Sequence, residues 1–220
     1  MSEKAKPMRG RALPTRIPLF PLPGALLLPG GQLPLNIFEP RYLRMIDDAL
    51  GGDRIIGMVQ PRSGAGLVDP PLYAVGCAGR IISFVETDDG RYLITLSGRK
   101  RFRIAEEIEA GAPYREAEID WAAFPVDSGN DLSTELVDRE RLVAAMRRYL
   151  DTEGLKTDWR TVGDAPTEAL VVSLAMGCPF APNEKQALLE AETIADRADC
   201  LIALMEMSCA GENGGDEPLQ

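Results

Sequence analysis

The sequence of 220 residues contains no histidine, so no imidazole is present to act as a catalytic base or as a zinc ligand. The four cysteines form no CxxC pair and are scattered as Cys77, Cys178, Cys200 and Cys209. This spacing argues against a structural zinc site and predicts buried free thiols. Composition excludes a histidine-dependent triad, and we expect no metal, no cofactor and no catalytic residues.

Long apolar runs are also missing. No stretch approaches the roughly 20 apolar residues that a membrane-spanning helix requires, and prolines interrupt residues 19–28 behind the basic N-terminus. We therefore expect a cytoplasmic protein without a membrane partner. The chain has no GxxxxGKS or GxxxxGKT phosphate-binding loop. Lysine is rare, and Lys185 beside Glu184 is typical of a solvated surface charge rather than of the base in a Ser-Lys dyad.

Acidic side chains outnumber basic ones by 34 to 24, which gives a formal net charge of −10. Residues 1–132 carry 16 basic and 17 acidic side chains, a net charge of −1, and residues 133–220 carry 8 and 17, a net charge of −9. Because nucleic-acid affinity comes largely from basic side chains that displace phosphate counterions, this balance argues against a general nucleic-acid binder. The exceptions are a basic N-terminal arm and the cluster at residues 99–103.

The stretch 17–50 combines short apolar runs, prolines and glycines with an amphipathic pattern. Apolar runs bounded by Pro and Gly are typical of strands, so we predict strands at residues 16–20 and 33–38 and a third, short one at 25–28. Glu39 and Pro40 then open a helix, because proline suits the first helical position and a carboxylate complements that end. Two glycines at 51 and 52 end it.

Residues 54–124 show mainly β patterns, with strands predicted at 54–60, 75–86, 91–96, 99–108 and 114–121. A hairpin is indicated at residues 88–90 and a further turn at Ser97 and Gly98. Short turns between successive strands favour a closed or nearly closed barrel.

From residue 125 the apolar period becomes helical. Ser133 or Thr134 is expected to cap a helix that ends near residue 150, and a second helix starts around Pro166. Thr193 and Asp196 resemble a capping box before the last helix. We predict an α+β chain with four parts: a flexible basic arm (1–15), a β-barrel lobe (16–124), a helical lobe (125–210) and a disordered acidic tail (211–220).

Three motifs, in order, resemble the N-terminal substrate-recognition domain of Lon proteases. They are PLFPL from residue 18 with FEPRY from residue 38, LSGRKRFRI from residue 96, and CPFAPNEKQALLE from residue 178. The resemblance covers about residues 17–207 and implies a PUA-like barrel followed by a helical bundle, in a free-standing protein without ATPase and protease modules. It also implies a non-enzymatic adaptor or chaperone-like binder in protein quality control. Its expected partners are unfolded or partly folded polypeptides or a protease.

A cleft between the two lobes is expected to hold polypeptide segments. The proline-rich stretch 19–35 is either ordinary core, or a hydrophobic groove or exposed strand edge that accepts an unfolded segment by strand addition or apolar contact. Arginines at alternate strand positions would place three cations on one face, which is either a solvated or ion-paired sheet face or a surface that contacts an anion or an acidic peptide. The candidate polypeptide-binding residues are Leu26, Leu28, Leu35, Phe38, Arg99, Arg101 and Arg103.

Two alternative functions stay open at this point. A barrel with a basic face beside Phe102 would also suit an RNA-binding or small-ligand-binding module of the PUA-like type. A hydrolase would require a pocket that holds a carboxylate or lysine with a strongly perturbed pKa.

Overall fold

The computed structural model describes residues 13–62, 70–109, 111–128 and 131–212. The predicted flexible arm and acidic tail therefore lie outside the described residues, except for residues 13–15 and 211–212. Within these ranges, strands come first and most helices follow, so the predicted α+β order of a β-barrel lobe and a helical lobe is confirmed.

Six strands are present in the described part of the chain. They are β1 (Arg16–Pro21), β2 (Gln32–Ile37), β3 (Ile55–Val59), β4 (Val75–Glu86), β5 (Tyr92–Ile108) and β6 (Arg115–Asp120). Five of them close a barrel in the order β6, β1, β3, β4, β5, because the second half of β5 pairs back with β6. β2 lies outside this closed ring and pairs with the first half of β5, from Gln32 opposite Ser97 to Ile37 opposite Tyr92.

The turn predicted at Ser97 and Gly98 is wrong, since β5 runs through it as one strand of 17 residues. Gly98 is needed for a close approach of two backbones rather than for a turn. A Cβ atom there would lie 1.9 Å from the carbonyl oxygen of Leu28. The Gly98 N–H donates to the carbonyl of Gly31 at 2.9 Å, and its carbonyl accepts from Gly30 at 3.2 Å.

The short strand predicted at residues 25–28 is also wrong, because this stretch is irregular. Leu26, Leu27 and Leu28 are all buried in succession. In a strand, successive side chains would point to opposite faces. Here all three leucines are buried on an irregular backbone, so an apolar run bounded by Pro and Gly is not sufficient to predict a strand.

The helices are α1 (Pro40–Gly51), α2 (Arg139–Thr152), α3 (Trp159–Asp164), α4 (Thr167–Gly177), α5 (Pro182–Glu190) and α6 (Ile194–Glu212). Two short 3₁₀ helices, Pro125–Ser128 and Leu132–Leu136, precede α2. The expected cap at Ser133 or Thr134 is wrong, since α2 begins later, where the Asp138 side chain accepts from the Arg141 N–H. Among the described helices, none has the length and apolar character needed to cross a bilayer.

The capping box predicted before α6 is confirmed. The Thr193 N–H donates to the Asp196 carboxylate at 3.1 Å, and the Asp196 N–H donates back to the Thr193 hydroxyl at 3.1 Å. Both N–H groups at this helix start are therefore satisfied by side chains.

Two apolar clusters hold the fold together. The smaller one fills the barrel and is centred on Phe102, Leu19 and Ile17. The larger one is continuous from the leucine run at 26–28 through α1 and into the helical bundle, where it includes Leu201. The two lobes consequently share one core on this side, and the helical lobe packs directly on the outside of the barrel.

The cysteines divide into two pairs by burial, which gives a test of the packing. Cys77 and Cys178 are buried, while Cys200 and Cys209 are half-buried. Burial raises the pKa of the Cys77 thiol to about 12. Raising the pH from about 7 to about 9 should thus leave Cys77 protonated and unreactive, because the thiolate is the nucleophile. Iodoacetamide labelling with peptide mass mapping is expected to modify Cys77 only after denaturation; labelling at the rate of Cys200 in the folded protein would contradict this packing.

Candidate functional site

The seven candidate binding residues separate into a buried and an accessible group. Leu26, Leu28 and Arg101 are buried and are not available to a partner. The accessible residues are Leu35, Phe38, Arg99 and Arg103, of which Phe38 is 65% exposed.

Arg101 is enclosed between the two lobes, with its side chain 1% exposed. Its guanidinium pairs with the Asp127 carboxylate at 2.8 Å and lies 4.3 Å from the ring centroid of Phe124. The remaining N–H groups donate to three carbonyls at the junction of α5 and α6, those of Leu189, Ala191 and Glu192. All five guanidinium N–H groups thus have acceptors. Arg101 therefore links β5 both to the 3₁₀ helix Pro125–Ser128, which carries Asp127, and to the helical bundle.

The predicted face of three cations is therefore wrong. Strand alternation does hold, because Phe102 points into the barrel while Arg101 and Arg103 point outward. The helical lobe covers the outside of β5 at position 101 and leaves position 103 exposed. A bulge between Gly98 and Lys100 further shifts the register at Arg99. The RNA-binding alternative consequently loses the basic face on which it depended.

The expectation of a solvated Lys185 is wrong as well. Its side chain is buried, and its ammonium donates to the carbonyl of Met176, in the last turn of α4, at 3.3 Å. Burial lowers the pKa of Lys185. A cation near a helix C-terminus stabilises the exposed carbonyls there. Within the described ranges no serine hydrogen-bonds to this ammonium, and no group of acidic and cysteine side chains is arranged to hold a metal ion.

An apolar cavity of about 600 Å³ lies beside β2, and we call it the β2 cup. The accessible candidates Leu35 and Phe38 line it, together with the end of β1, the start of α1 and the start of β6. Its lining residues are Phe20, Pro21, Leu22, Pro23, Leu35, Asn36, Ile37, Phe38, Glu39, Arg41, Tyr42, Pro61, Pro70, Ala112, Pro113, Tyr114 and Arg115.

The walls of the β2 cup are aromatic rings and prolines, and its charged groups are already paired. The rings of Phe20 and Tyr42 pack with centroids 4.4 Å apart. Arg41 pairs with Glu39 at 2.9 Å, and Arg115 pairs with Glu107. With its ionic groups neutralised in pairs, the cup presents mainly apolar surface to a ligand.

Tyr114 ties the cup wall to α1. Its hydroxyl donates to Asp48 at 2.9 Å, and burial together with this hydrogen bond raises the pKa of Tyr114 to about 12. Tyr114 therefore stays a neutral donor at physiological pH. The ion pair with Arg44 and the Tyr114 hydrogen bond lower the pKa of Asp48. This contact fixes the position of the strand start that closes one side of the cup.

The unpaired edge of β2 runs along the β2 cup. Among the described residues β2 pairs only with β5, and four consecutive residues, 35–38, line the cavity. Consecutive residues of a strand point to opposite faces, so the cavity that the strand residues Leu35, Asn36 and Ile37 all line lies along the edge of β2, and Phe38 follows directly after the strand. Such an edge presents backbone N–H and C=O groups that can pair with another extended chain. Only Pro34 interrupts it, since proline lacks an N–H.

A second opening, the interlobe cleft, lies between the segment at residues 29–33 and α4. It comprises a groove of about 710 Å³ and an adjoining cavity of about 490 Å³. The two spaces share Pro29, Glu168 and Val172 as walls. A cleft between the two lobes is therefore present, next to the apolar core that the lobes share.

Further polar contacts that the sequence patterns did not indicate join the lobes. Gln60 donates to the carbonyl of Pro182 at 2.9 Å, and Gln186 donates to the carbonyl of Val75 at 3.2 Å. Both glutamines are buried. Glutamine is mostly a surface residue, and no local pattern in the sequence distinguishes these two from solvated ones.

A family model decides what kind of domain this is. The model describes the substrate-binding domain of the ATP-dependent protease La (Lon), and it matches residues 16–207. The chain belongs to the Lon substrate-binding domain family. The resemblance inferred from the three sequence motifs is thereby confirmed.

Relatives of this Lon substrate-binding domain are much longer proteins. Lon protease 2 of Sorangium cellulosum is 29% identical over 204 residues, which cover 86% of this chain and 24% of that protein. Lon protease 2 of Myxococcus xanthus is 33% identical over 121 residues, 54% of this chain and 14% of that protein. The chain thus spans about a quarter or less of the length of these relatives.

Solved structures agree with the Lon-domain fold. A Lon N-terminal domain protein from Xanthomonas campestris superposes with a TM-score of 0.61 at 25% identity, covering 86% of this chain and 98% of that one. The N-terminal domain of Lon protease from the Mycobacterium avium complex gives a TM-score of 0.63 at 17% identity, covering 87% and 98%. The second likeness supports the fold alone.

Proposed function

We propose that this Lon substrate-binding domain is a non-catalytic module that binds extended, apolar segments of unfolded polypeptides in the β2 cup. The observation that supports this most strongly is the cup itself, an apolar cavity of about 600 Å³ along the unpaired edge of β2 with Phe38 exposed at its rim. An unfolded chain can supply a strand that pairs with the edge of β2 and apolar side chains that fill the cup.

Binding would combine two familiar interactions. The backbone of the segment pairs with the β2 edge, which is tolerant of sequence, and a large side chain enters the cup, which selects for apolar residues. Burying one Leu or Phe side chain contributes about 1.5–3 kcal/mol, so a single cup gives weak, reversible binding. Weak and sequence-tolerant binding suits an adaptor or chaperone-like role in cytoplasmic protein quality control, in which the segment is held or passed to a protease.

Replacing Phe38 with serine is expected to weaken binding about tenfold, because an exposed aromatic anchor at the rim is removed. Stability should change by less than about 0.5 kcal/mol, since the side chain is largely solvated in the free protein. The measurement is fluorescence anisotropy with fluorescein-labelled, carboxymethylated α-lactalbumin, which cannot fold.

Met207→Ser is the matched control for this prediction. Met207 is 67% exposed, close to the exposure of Phe38, but it lies on α6 away from the cup. Its replacement should leave the affinity unchanged. An equal loss in both variants would show that binding depends on general surface hydrophobicity, and no loss in either would remove the β2 cup as the site.

A further inference from the structure

The interlobe cleft has an apolar floor and an apolar rim. Pro29, Leu33, Val172 and Met176 line its larger groove. At the mouth of the adjoining cavity, the 3₁₀ helix Leu132–Leu136 begins with Leu132, which lines the cavity and is 76% exposed. A leucine exposed to this extent beside a cavity is a surface that a ligand can cover.

The ionic groups of the interlobe cleft differ from those of the β2 cup. Both arginines that line it are buried and engaged: Arg101 pairs with Asp127, and Arg197 donates to the carbonyl of Leu188 at 2.8 Å. Two carboxylates on the same walls, those of Glu135 and Glu168, are exposed. Among the residues that the structure describes, neither takes part in a hydrogen bond or an ion pair. The accessible charge in the cleft is therefore negative.

A further carboxylate of this wall, that of Asp131, is engaged in hydrogen bonds within the fold. Its two oxygens accept from the backbone N–H groups of Ser133 and Ile194, at 2.9 and 2.8 Å. Asp131 thus caps the 3₁₀ helix and holds it against the start of α6. The contact fixes Glu135, on the same short helix, at the mouth of the cleft.

We propose that the interlobe cleft is a second polypeptide subsite, selective for segments in which large apolar side chains alternate with lysine or arginine. This inference rests on the proposed function, polypeptide binding, and adds a place and a class of segment to it. Apolar side chains of the segment cover the floor and Leu132 at the rim, and its cations approach Glu135 and Glu168. The paired charges of the β2 cup, in contrast, give that site no preference for cations.

The size of the effect follows from the exposure of both carboxylates. Exposed ion pairs are weak, and two of them together favour a cationic segment over a neutral one by about three- to tenfold. The preference should disappear in about 0.5 M NaCl, where the Debye length falls to roughly 4 Å. Neutral segments still bind through apolar contact, and strongly basic segments without apolar side chains do not cover the floor.

The test compares two fluorescein-labelled dodecapeptides by anisotropy, using the full chain. In the first peptide leucine alternates with lysine, and in the second glutamine replaces every lysine. The wild-type protein is expected to bind the leucine-lysine peptide about three- to tenfold more tightly at low salt. Glu135→Gln with Glu168→Gln should reduce this preference to less than about twofold while leaving the affinity for the leucine-glutamine peptide unchanged.

The charge-matched control is Glu86→Gln with Asp88→Asn, two exposed acids beside the β4–β5 turn that line neither opening. This variant should keep the wild-type preference. If the control variant loses the preference to the same extent, the preference reports only the net charge of the protein, and the subsite is overturned. Equal binding of the two peptides by the wild-type protein would also overturn it. If neither peptide binds to the wild-type protein, polypeptide binding itself fails, which is a different result.

Discussion

Replacing Arg101 with methionine is expected to destabilise the protein by about 3–5 kcal/mol, because it leaves the buried Asp127 carboxylate without its charge partner. The side chains of Arg101 and Asp127 are 1% and 6% exposed, so water cannot replace the lost contact. Three carbonyls at the α5–α6 junction lose the Arg101 donor in the same variant, and of these the Ala191 carbonyl keeps a hydrogen bond from Arg197. Methionine retains an unbranched apolar stem of similar length, so the loss reports mainly the missing charge and hydrogen bonds.

Urea unfolding followed by circular dichroism measures this effect, with Arg103→Met as the control. Arg103 lies two residues along the same strand and is exposed, so its replacement should stay within about 0.5 kcal/mol of the wild type. Arg101→Met combined with Asp127→Leu should recover part of the loss, since the uncompensated charge is then removed. Similar stabilities for Arg101→Met and Arg103→Met would contradict the role of Arg101 as the link between the lobes.

Replacing Gly98 with alanine is expected to lower the free energy of unfolding by about 1–3 kcal/mol or more, because the added methyl group overpacks the contact with Leu28. The new Cβ would lie 1.9 Å from the Leu28 carbonyl oxygen and 2.7 Å from its carbonyl carbon. These are backbone atoms of a buried stretch and cannot rotate away. Relief requires β5 and the turn at residues 28–31 to separate, which breaks the hydrogen bonds between Gly98 and Gly31 and between Gly98 and Gly30.

Thermal unfolding by calorimetry tests this prediction against Gly51→Ala. Gly51 ends α1, and a Cβ there would meet nothing within 4 Å. Its replacement should be neutral or slightly stabilising, because alanine loses less conformational freedom than glycine on folding. If both variants melt at the same temperature, the close approach of β5 to Leu28 is not a constraint in solution.

Local patterns were sufficient for elements whose causes are local. The hairpin at residues 88–90 follows from Asp and Gly in a tight turn, and Gly90 has a φ of 76°. α1 follows from Pro40 and the spacing of its apolar face. Gly98 shows the limit of local patterns. A glycine that allows the close approach of a distant carbonyl cannot be distinguished in sequence from a glycine that makes a turn.

Only part of the candidate site was predictable, because local patterns place only some of its residues. Phe38 belongs to the FEPRY motif and Leu35 to the apolar, proline-rich stretch, and both line the β2 cup, whereas Leu28 in the same apolar stretch is core. Arg101 and Arg103 occupy equivalent places in a strand pattern. What buries Arg101 is Asp127, 26 residues away, and carbonyls about 90 residues away. Such differences in burial depend on how the two lobes pack, and the periodicity of the strand sequence does not indicate them.

The most direct test of polypeptide binding in the β2 cup is a titration of ¹⁵N-labelled protein with the neutral leucine-glutamine peptide, followed by amide chemical shifts. We expect the largest shifts at Leu35, Asn36, Ile37 and Phe38, with smaller ones at Tyr114 across the cavity. Shifts that are absent at saturating peptide, or that are confined to surfaces such as α6, would contradict it.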